Sequence, residues 1–314
     1  MKTCFIFNPN SGRNRQRPRL AGAIREFIAA RSLDAHLATT EGPGHATELA
    51  RAAVRSGHDL VVAVGGDGTM NEVAQGLIHT SVALALVPCG SGNGLALHLG
   101  LPRSPLGALQ LATGADRRIV AVDTGTANGL PFVNAMGLGF DADVSQRFNG
   151  LTRRGLPAYI RVACAALRNL RSERCIVSAG TRSEALEVLL IAVANSDQYG
   201  NNARIAPGAR IDDGRLDLVA VHSVGLWRAS TLVPRLFLGT IDRSPHVTRM
   251  TGPRFVIDRL APGLIHTDGE THRTGPRIEV VVQPRSLNVL VPAASGVVAP
   301  VREAVPARFA LLFP

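Results

Sequence analysis

The stretch VVAVGGDGTMNEV, residues 61–73, joins four apolar residues to a turn that holds three glycines and one aspartate. A short apolar run that ends in a glycine turn is typical of a strand buried on both faces of a parallel sheet. The glycines would let a polyphosphate approach the backbone N–H groups, and a helix that begins near Met70 would add the positive end of its dipole. Asp67 would repel bare phosphate, so the pattern favours a nucleotide whose charge is offset by Mg²⁺. The alternative is a structural turn closed by an Asx hydrogen bond.

Apolar strands and helices alternate over the first 125 residues. Strands separated by amphipathic helices predict a parallel, doubly wound sheet. We therefore expect a nucleotide-binding α/β domain over residues 1–124. The predicted strands cover residues 3–7, 34–40, 59–66 and 82–88, and the predicted helices cover residues 18–31, 45–57, 70–79 and 104–114.

The pattern changes near Asp123, after which short strand-like runs are separated by turn residues. Two helical stretches interrupt these runs, at roughly residues 155–171 and 225–238. This arrangement predicts a mainly antiparallel β-sandwich over residues 125–314. The tail after Pro292 is rich in alanine, valine and proline, and the sequence does not decide whether it packs on the first domain. The strand-like runs cover residues 131–139, 175–180, 186–195, 216–223, 254–258, 277–284 and 286–292.

Composition and charge restrict the classes of partner. The chain has 314 residues, a net charge of +10 and 4% aromatic residues. The positive field favours anionic partners such as phosphate ligands and acidic lipid head groups. The low aromatic content argues against stacking on single-stranded nucleic acid, so no nucleic-acid partner is expected.

The sequence predicts a cytoplasmic protein. Its scattered cysteines form no CxxC pair, which fits a reducing compartment. The N-terminus turns polar after seven residues, too early for a signal peptide, and no apolar run approaches the roughly 18 residues that span a bilayer. Any contact with a membrane is therefore expected to be peripheral, at the inner face. Whether the chain forms a homodimer is left open.

Polar, glycine-bearing turns follow three of the predicted strands. NPNSG follows the first strand, GGDGT the third and PCGSGNG the fourth, at residues 8–12, 65–69 and 88–94. Ligands bind beyond the carboxyl ends of the strands in an open parallel sheet, so these turns are expected to meet at one site. For each turn taken alone, a tight connection between a strand and a helix is the alternative.

NPNSG, GGDGTMNEV and PCGSGNGLALHLGLP, in this order, resemble the catalytic domain of the diacylglycerol kinase family. The bacterial YegS-like lipid kinases are the most similar group, and sphingosine and ceramide kinases are related to it. The resemblance extends from the first strand to at least residue 291 and implies that ATP binds between two domains, with GGDGT under its phosphates. The nucleotide contacts that it implies are Asn8, Thr40, Gly66, Asp67, Gly68, Thr69, Met70, Asn71, Glu72 and Ser91.

Three positions depart from the family pattern and leave the lipid substrate open. Ser91 stands where many members have threonine, which keeps the hydroxyl. Gly94 stands where diacylglycerol kinases usually have aspartate, and in this the chain is similar to sphingosine kinases. However, GFDADV is followed by Ser145, where sphingosine kinases have an acidic residue.

The stretch IAPGARIDDGRLDLVAV, residues 205–221, is similar to a DDGxLDL segment of the family. The resemblance implies a structural Mg²⁺ held by the Asp213 side chain and by the backbone carbonyls of Arg210 and Arg215. Aspartate oxygens are hard ligands that suit Mg²⁺. A turn between strands with solvated carboxylates explains the same spacing equally well.

The stretch HTDGETH, residues 266–272, matches the family segment that holds the proposed proton acceptor, and Glu270 stands at that position. Phosphorylation of an alcohol requires the hydroxyl proton to leave, so a carboxylate must lie within hydrogen-bond reach. Asp67 is the second candidate for this base. Asp268 and Gly269 also read as an ordinary hairpin turn, with His266 only shaping it.

Residues 147–174 hold seven arginines against one acidic residue, Glu173, around a predicted amphipathic helix. The apolar stripe of such a helix usually packs on a neighbouring sheet. We expect the arginines to stay available to anionic lipid.

Together these observations predict an ATP- and Mg²⁺-dependent lipid kinase. It would transfer the γ-phosphoryl group to the hydroxyl of diacylglycerol or a related lipid, such as a sphingoid base or phosphatidylglycerol. One alternative is an NAD kinase-like phosphotransferase, because NAD kinases share GGDGT and the order of the two domains. The other alternative is a member of the family that binds nucleotide or lipid without catalysis.

Overall fold

Four parallel strands form the first half of the sheet. They lie in the order β2–β1–β3–β4, so the chain first builds outward on one side of β1 and then on the other. A computed structural model describes residues 1–12, 14–16, 19–151, 161–162, 165–166 and 171–296. The strands of this half are β1 (Thr3–Phe7), β2 (Ala35–Thr39), β3 (Leu60–Gly65) and β4 (Ala83–Pro88).

Helices cover both faces of these strands, as the sequence predicts. Alternate residues of each strand point to opposite faces, so a run such as Leu60–Gly65 must be apolar throughout to be buried on both sides. One face packs against α2 and α3, and the other against α1 and α5. The helices are α1 (Leu20–Ala30), α2 (His45–Arg55), α3 (Asp67–Leu77), α4 (Gly94–His98) and α5 (Pro105–Thr113).

Helix α3 begins one turn earlier than predicted. The sequence suggested a start near Met70, but the helix begins at Asp67, after Gly66 with its extended backbone. The N–H of Met70 donates to the carbonyl of Gly66 over 3.0 Å, which closes the first turn. Glycine, aspartate and threonine are poor helix formers, but an acidic residue in the first turn is favoured by the helix dipole. Asp67, Gly68 and Thr69 are therefore part of the helix.

The second half is a β-sandwich in which the strands pair antiparallel with one another. Its core is formed by large side chains such as Phe132, Met136 and Phe255. Its elements are β5 (Arg117–Ala127), β6 (Leu130–Phe132), β7 (Ala135–Gly139), α6 (Phe140–Asn149), β8 (Glu173–Ala179), β9 (Arg182–Ala194), β10 (Leu216–His222), α7 (Leu226–Leu238), β11 (Val247–Gly252), β12 (Arg254–Arg259), β13 (Gly263–Thr267), β14 (Glu270–Thr274) and β15 (Arg277–Pro292).

Strand β15 joins the two halves. The sequence predicted two separate strands, at residues 277–284 and 286–292, but the chain forms one strand with a register shift after Gln283. The first part of β15 pairs with β12, and Asn288 and Val289 pair in parallel with β4. Because β5 pairs with β15 along both parts, the two strands link the sheet of the first half to the sandwich. The domain boundary at residue 124 stays a prediction.

Several other predictions can be compared with the structure. The helix expected at residues 225–238 is α7, whereas α6, β5, β11, β13 and β14 were not predicted. The helix expected at residues 155–171 lies almost entirely outside the described residues, as does the tail beyond residue 296. Within the described part of the chain, no helix combines the length and the apolar character needed to cross a bilayer.

Candidate active site

The turns after β1 and β3 are joined by side-chain hydrogen bonds. The Asn8 backbone N–H donates to the carbonyl of Val64, and its Nδ2 donates to Thr69 Oγ1 over 2.9 Å. The N–H of Gly66 donates to Ser11 Oγ over 2.6 Å. The NPNSG turn therefore holds the first turn of α3 from one side.

The turns after β3 and β4 are in direct backbone contact. A Cβ atom on Gly90 would lie 2.7 Å from the Cα of Gly66, and a Cβ on Gly66 would lie 3.1 Å from the Cα of Gly90. Real Cβ atoms do not approach other carbon atoms this closely, because van der Waals contact begins near 3.5 Å. Position 90 therefore requires glycine. The contact places the two glycine turns side by side at the carboxyl ends of the strands.

The Asp67 carboxylate links the two glycine turns further. Its Oδ2 accepts the N–H of Asn93 and its Oδ1 accepts the N–H of Gly94, both over 2.8 Å, at the N-terminus of α4. Burial raises the pKa of Asp67 above its ordinary value, although these N–H groups stabilise the ionised form. The sequence suggested a carboxylate beside a metal-bound nucleotide. The structure adds a partner that the sequence did not reveal, namely the backbone N–H groups at the N-terminus of α4.

Two further residues of the predicted nucleotide set lie around the N-terminus of α2. Thr40 follows β2 and is buried, and its N–H donates to the carbonyl of Phe7 over 2.9 Å. Glu72 Oε2 accepts the N–H of Ala46 over 3.2 Å. The carboxylate of Glu72 thus binds the positive end of α2, as an acid does in a helix cap.

The remaining predicted contacts differ in exposure. Gly68 and Ser91 are exposed at the surface of the two glycine turns, where a ligand can reach them. Asn71 is buried, and its Oδ1 has no hydrogen-bond partner in the described part of the chain. Met70 packs into the core between α3 and the sheet, so only its backbone faces the turn.

A segment of the sandwich forms the opposite wall of the second glycine turn. The N–H of Asn201 donates to the carbonyl of Gly92 over 3.1 Å, and a Cβ on Gly94 would lie 2.7 Å from the carbonyl oxygen of Tyr199. Asp197 Oδ1 lies 2.7 Å from His98 Nδ1 of α4. This segment was not among the predicted site residues, and its only sign in the sequence is the polar run NSDQYGNN after a buried strand.

The Asp197 carboxyl is ionised more easily than an ordinary aspartate. Burial raises its pKa, but the hydrogen bond and the charge of His98 outweigh this effect and lower it. Gln198 and Arg204 act in the same direction. The contact between His98 and Asp197 is thus a charge-assisted link between the two halves of the chain.

The predicted turn at Asp268, Gly269 and Glu270, which we call the DGE turn, connects β13 and β14. Asp268 and Gly269 have φ angles of 50° and 86°, as a two-residue hairpin turn of type I′ requires. The Asp268 carboxylate accepts the N–H groups of Asn134 and its two neighbours over 2.7 to 2.9 Å. Burial raises the pKa of Asp268, and these bonds oppose that shift. The hairpin expectation is confirmed, and the role of Glu270 as the base stays a prediction.

The DGE turn lies close to the second glycine turn. A Cβ on Gly94 would lie 3.0 Å from Nδ2 of Asn134, and the backbone N–H of Asn134 donates to Asp268. Glu270 is exposed as the first residue of β14. The two candidate bases, Asp67 and Glu270, are therefore connected through Gly94, Asn134 and Asp268.

A buried group behind the DGE turn was missed by the sequence analysis. His266 Nε2 lies 2.9 Å from Asp141 Oδ2, and the hydroxyl of Tyr199 donates to the same oxygen over 2.6 Å. The N–H of Gly269 donates to His266 Nδ1 over 3.2 Å. Burial raises the pKa of Asp141, but the charge and hydrogen bond of His266 and the Tyr199 bond outweigh it, so the carboxyl stays ionised.

The proposed metal residues lie at the turn before β10. Burial raises the pKa of Asp213, and the nearby carboxylates of Asp217 and Asp123 add to this, whereas the N–H of Arg215 opposes it. A cation would relieve this excess of negative charge, and oxygen ligands suit Mg²⁺. Within the described residues, no group of three or more His, Cys, Asp or Glu side chains is placed to hold a metal. The site with Arg210 and Arg215 carbonyls stays a prediction.

Comparison with known families decides the relationship of this chain. Residues 2–138 match the model of the diacylglycerol kinase catalytic domain, and residues 134–291 match that of the YegS C-terminal NAD kinase beta sandwich-like domain. The chain belongs to the diacylglycerol kinase and YegS-like lipid kinase family. The glycine turns lie in the first of these domains and the DGE turn lies in the second.

Individual relatives of this lipid kinase family agree with the domain matches. A protein of Chromohalobacter salexigens named "Probable lipid kinase YegS-like" is 33% identical over 244 residues, which cover 74% of this chain and 76% of that protein. The "Diacylglycerol kinase" of Bacillus subtilis is 28% identical over 274 residues, which cover 85% of this chain and 88% of that protein. The crystal structure of a "putative diacylglycerol kinase" from Bacillus anthracis has a TM-score of 0.78 and 25% identity, and it covers 94% of this chain and 96% of that chain.

Proposed function

We propose that this member of the lipid kinase family binds ATP with Mg²⁺ and transfers the γ-phosphoryl group to the hydroxyl of diacylglycerol or a related lipid. One observation carries the proposal: the contact between Gly66 and Gly90 joins two glycine turns at the carboxyl ends of the strands. The DGE turn is connected to the second glycine turn through Asn134, which lies against Gly94 and donates its backbone N–H to Asp268. These contacts support a cleft that a nucleotide site and a candidate base would border.

The glycine turns are suited to hold a triphosphate. Backbone N–H groups at the start of α3 carry the partial positive charge of the helix terminus, and Gly68 and Ser91 present exposed groups beside them. Asn8 Nδ2 donates to the Thr69 hydroxyl and thereby fixes the position of this hydroxyl in the first turn of α3. Mg²⁺ bound with the nucleotide would offset the charge of its phosphates.

The transfer step needs a base beside the lipid hydroxyl. The hydroxyl oxygen bonds to the γ-phosphorus while the bond from that phosphorus to the bridging oxygen breaks, so ADP leaves and the hydroxyl proton goes to Glu270. Glu270 is exposed and can meet a substrate. Asp67 is less suited to the role, because each of its carboxylate oxygens already accepts a backbone N–H.

A second Mg²⁺ would have a structural role at the turn before β10. Asp213, together with the carbonyls of Arg210 and Arg215, would hold it and fix the turn that precedes β10. The support is the set of oxygen ligands and the excess of negative charge around Asp213. We also propose that the protein acts at the inner face of the cytoplasmic membrane, where its lipid substrate lies.

Phosphoryl transfer from γ-labelled ATP tests the proposal. The purified protein is incubated with detergent-dispersed diacylglycerol, sphingoid base, phosphatidylglycerol or NAD, and the labelled product is identified by mass spectrometry. We expect label in a lipid and a loss of roughly 10²- to 10⁴-fold in kcat for Glu270→Gln. The matched control is Glu26→Gln, which changes an exposed glutamate on α1 and should keep full activity.

Two results would overturn this assignment. Label in NAD and in no lipid would identify an NAD kinase-like activity. Binding of ATP without transfer to any acceptor would identify a member that lacks catalysis. Full activity of Glu270→Gln would leave the lipid kinase but remove Glu270 as its base.

A further inference from the structure

Helix α7 carries large apolar side chains on its solvent side. Trp227 is 89% exposed, Leu238 is 74% exposed, and Val233 and Phe237 are 49% and 45% exposed. Single exposed apolar residues are common in proteins, but a group on one short helix marks an interaction surface. We call these four residues the α7 patch.

The packing of α7 does not account for the patch. At about 100° per residue, Ala229, Leu232 and Leu236 lie on one side of the helix, where Leu232 is buried and the other two are partly buried. Leu236 packs against the cluster that includes Ile241. The patch lies on the other side, where Trp227 and Leu238 project within about 20° of each other.

Positive charge borders the α7 patch. Arg228 and Arg235 lie seven residues apart, so they are on one edge of the same helix face. The helix contains no acidic residue, and the chain as a whole carries a charge of +10. An apolar face that holds a tryptophan and is flanked by arginines is typical of helices that lie in the head-group layer of an anionic bilayer.

The C-terminal end of α7 is connected to the candidate active site. The N–H of Arg204 donates to the carbonyl of Leu236 over 2.9 Å, and Arg204 Nε lies 3.7 Å from Asp197 Oδ2. Asp197 contacts His98 of α4, which follows the second glycine turn. A membrane bound at α7 would therefore lie beside the sandwich wall of the cleft.

We propose that the α7 patch, with Arg228 and Arg235, docks this protein on an anionic lipid bilayer. The choice of a bilayer rests on charge: a second copy that paired symmetrically through the same face would bring its own Arg228 and Arg235 against this basic edge, whereas anionic head groups are complementary to it. The link to catalysis rests on the proposed function, but binding to the bilayer does not.

Trp227 is the single tryptophan of the chain, so its fluorescence reports on the patch alone. The full-length protein is titrated with vesicles of phosphatidylcholine, with or without phosphatidylglycerol. We expect the emission to move to shorter wavelength, and quenching by acrylamide to fall, with the anionic vesicles only. Unchanged emission while the protein co-sediments with those vesicles would overturn the proposal, because another surface would then bind them.

Variants separate the apolar and charged contributions. Leu238→Glu should abolish sedimentation with anionic vesicles, whereas Leu106→Glu, at a 58% exposed leucine on α5, should not change it. Arg228→Gln combined with Arg235→Gln should weaken vesicle binding by about 30-fold, from the usual contribution of each arginine near an anionic surface. Equal binding by all variants would contradict the assignment.

Two further readouts complete the test. If a second copy or the C-terminal residues 297–314 cover the patch, Trp227 will be shielded from acrylamide without vesicles, and this result would overturn the proposal. Leu238→Glu should keep its activity on detergent-dispersed lipid and lose it on vesicles. The fluorescence and sedimentation measurements test binding to the bilayer independently of whether the protein is a lipid kinase.

Discussion

The contact between Gly66 and Gly90 gives the sharpest prediction about the site. In Gly90→Ala, the new Cβ would lie 2.7 Å from both the Cα of Gly66 and the Asn93 Oδ1. Carbon atoms in contact are normally about 3.5–4.0 Å apart, so one of the two glycine turns must move by roughly 1 Å. Because the atom it meets is backbone, a side-chain rotation cannot relieve the overlap at Gly66.

The cost of this movement follows from the packing. Overpacking a close contact costs about 1–3 kcal/mol of unfolding free energy, and a shift of about 1 Å at a reacting group costs on the order of 100-fold in rate. We therefore expect Gly90→Ala to lose about 1–3 kcal/mol of unfolding free energy. We also expect it to lose most of its affinity for ATP, because one of the two glycine turns is displaced. Urea denaturation and titration calorimetry with ATP measure the two effects.

Gly22→Ala provides the matched control. Gly22 lies in α1, and a Cβ there would meet no atom within 4 Å. Alanine in a helix interior is more stable than glycine by about 0.5–1 kcal/mol, so this variant should gain stability and bind ATP normally. Gly90→Ala with the stability and ATP affinity of the unchanged protein would refute the account of two turns in contact.

Three other variants test the hydrogen bonds around the site. Asp67→Asn should lose about 1–3 kcal/mol, because one backbone N–H at the start of α4 loses its acceptor; an unchanged urea midpoint would contradict this. Tyr199→Phe should lose a similar amount, about 1.5–3 kcal/mol, because the Asp141 carboxylate loses a hydroxyl donor, and calorimetric unfolding would detect it. The lowered pKa of Asp197 means that its contact with His98 contributes stability above the unfolded pKa near 3.9, and that this contribution is lost as pH falls through the lower folded pKa. Asp197→Asn should therefore show a shallower loss of stability than the unchanged protein below about pH 4, and parallel curves would be the contrary result.

Much of the first half could be predicted because its signals are local. The strands β3 and β4 are continuous apolar runs, as burial on both faces requires. Ser104 with Pro105 marks the start of α5 by cap chemistry. The start of α3 was placed too late, because GDGT has the composition of a loop. Only the contact of Asp67 with α4 shows why these residues form a helix here.

The rest of the site depends on partners that are distant along the chain. Asp141, Tyr199 and His266 come from three separate elements, and nothing near any of them in the sequence indicates the other two. The same holds for β15, whose two apolar runs are interrupted by Pro284 and Arg285 and look like separate strands. The pairing with β5 on both sides of this interruption, at Val280–Gln283 and Leu287–Pro292, makes them one strand with a bulge.

A crystal structure of this protein with Mg²⁺ and a non-hydrolysable ATP analogue tests the central claim most directly. We expect the phosphates to lie against the backbone N–H groups of residues 66–69 and beside Ser91, with the terminal phosphate facing Glu270 across the cleft. Nucleotide bound elsewhere, or bound with its phosphates away from the Gly66–Gly90 contact, would contradict the claim that these two turns form the ATP site.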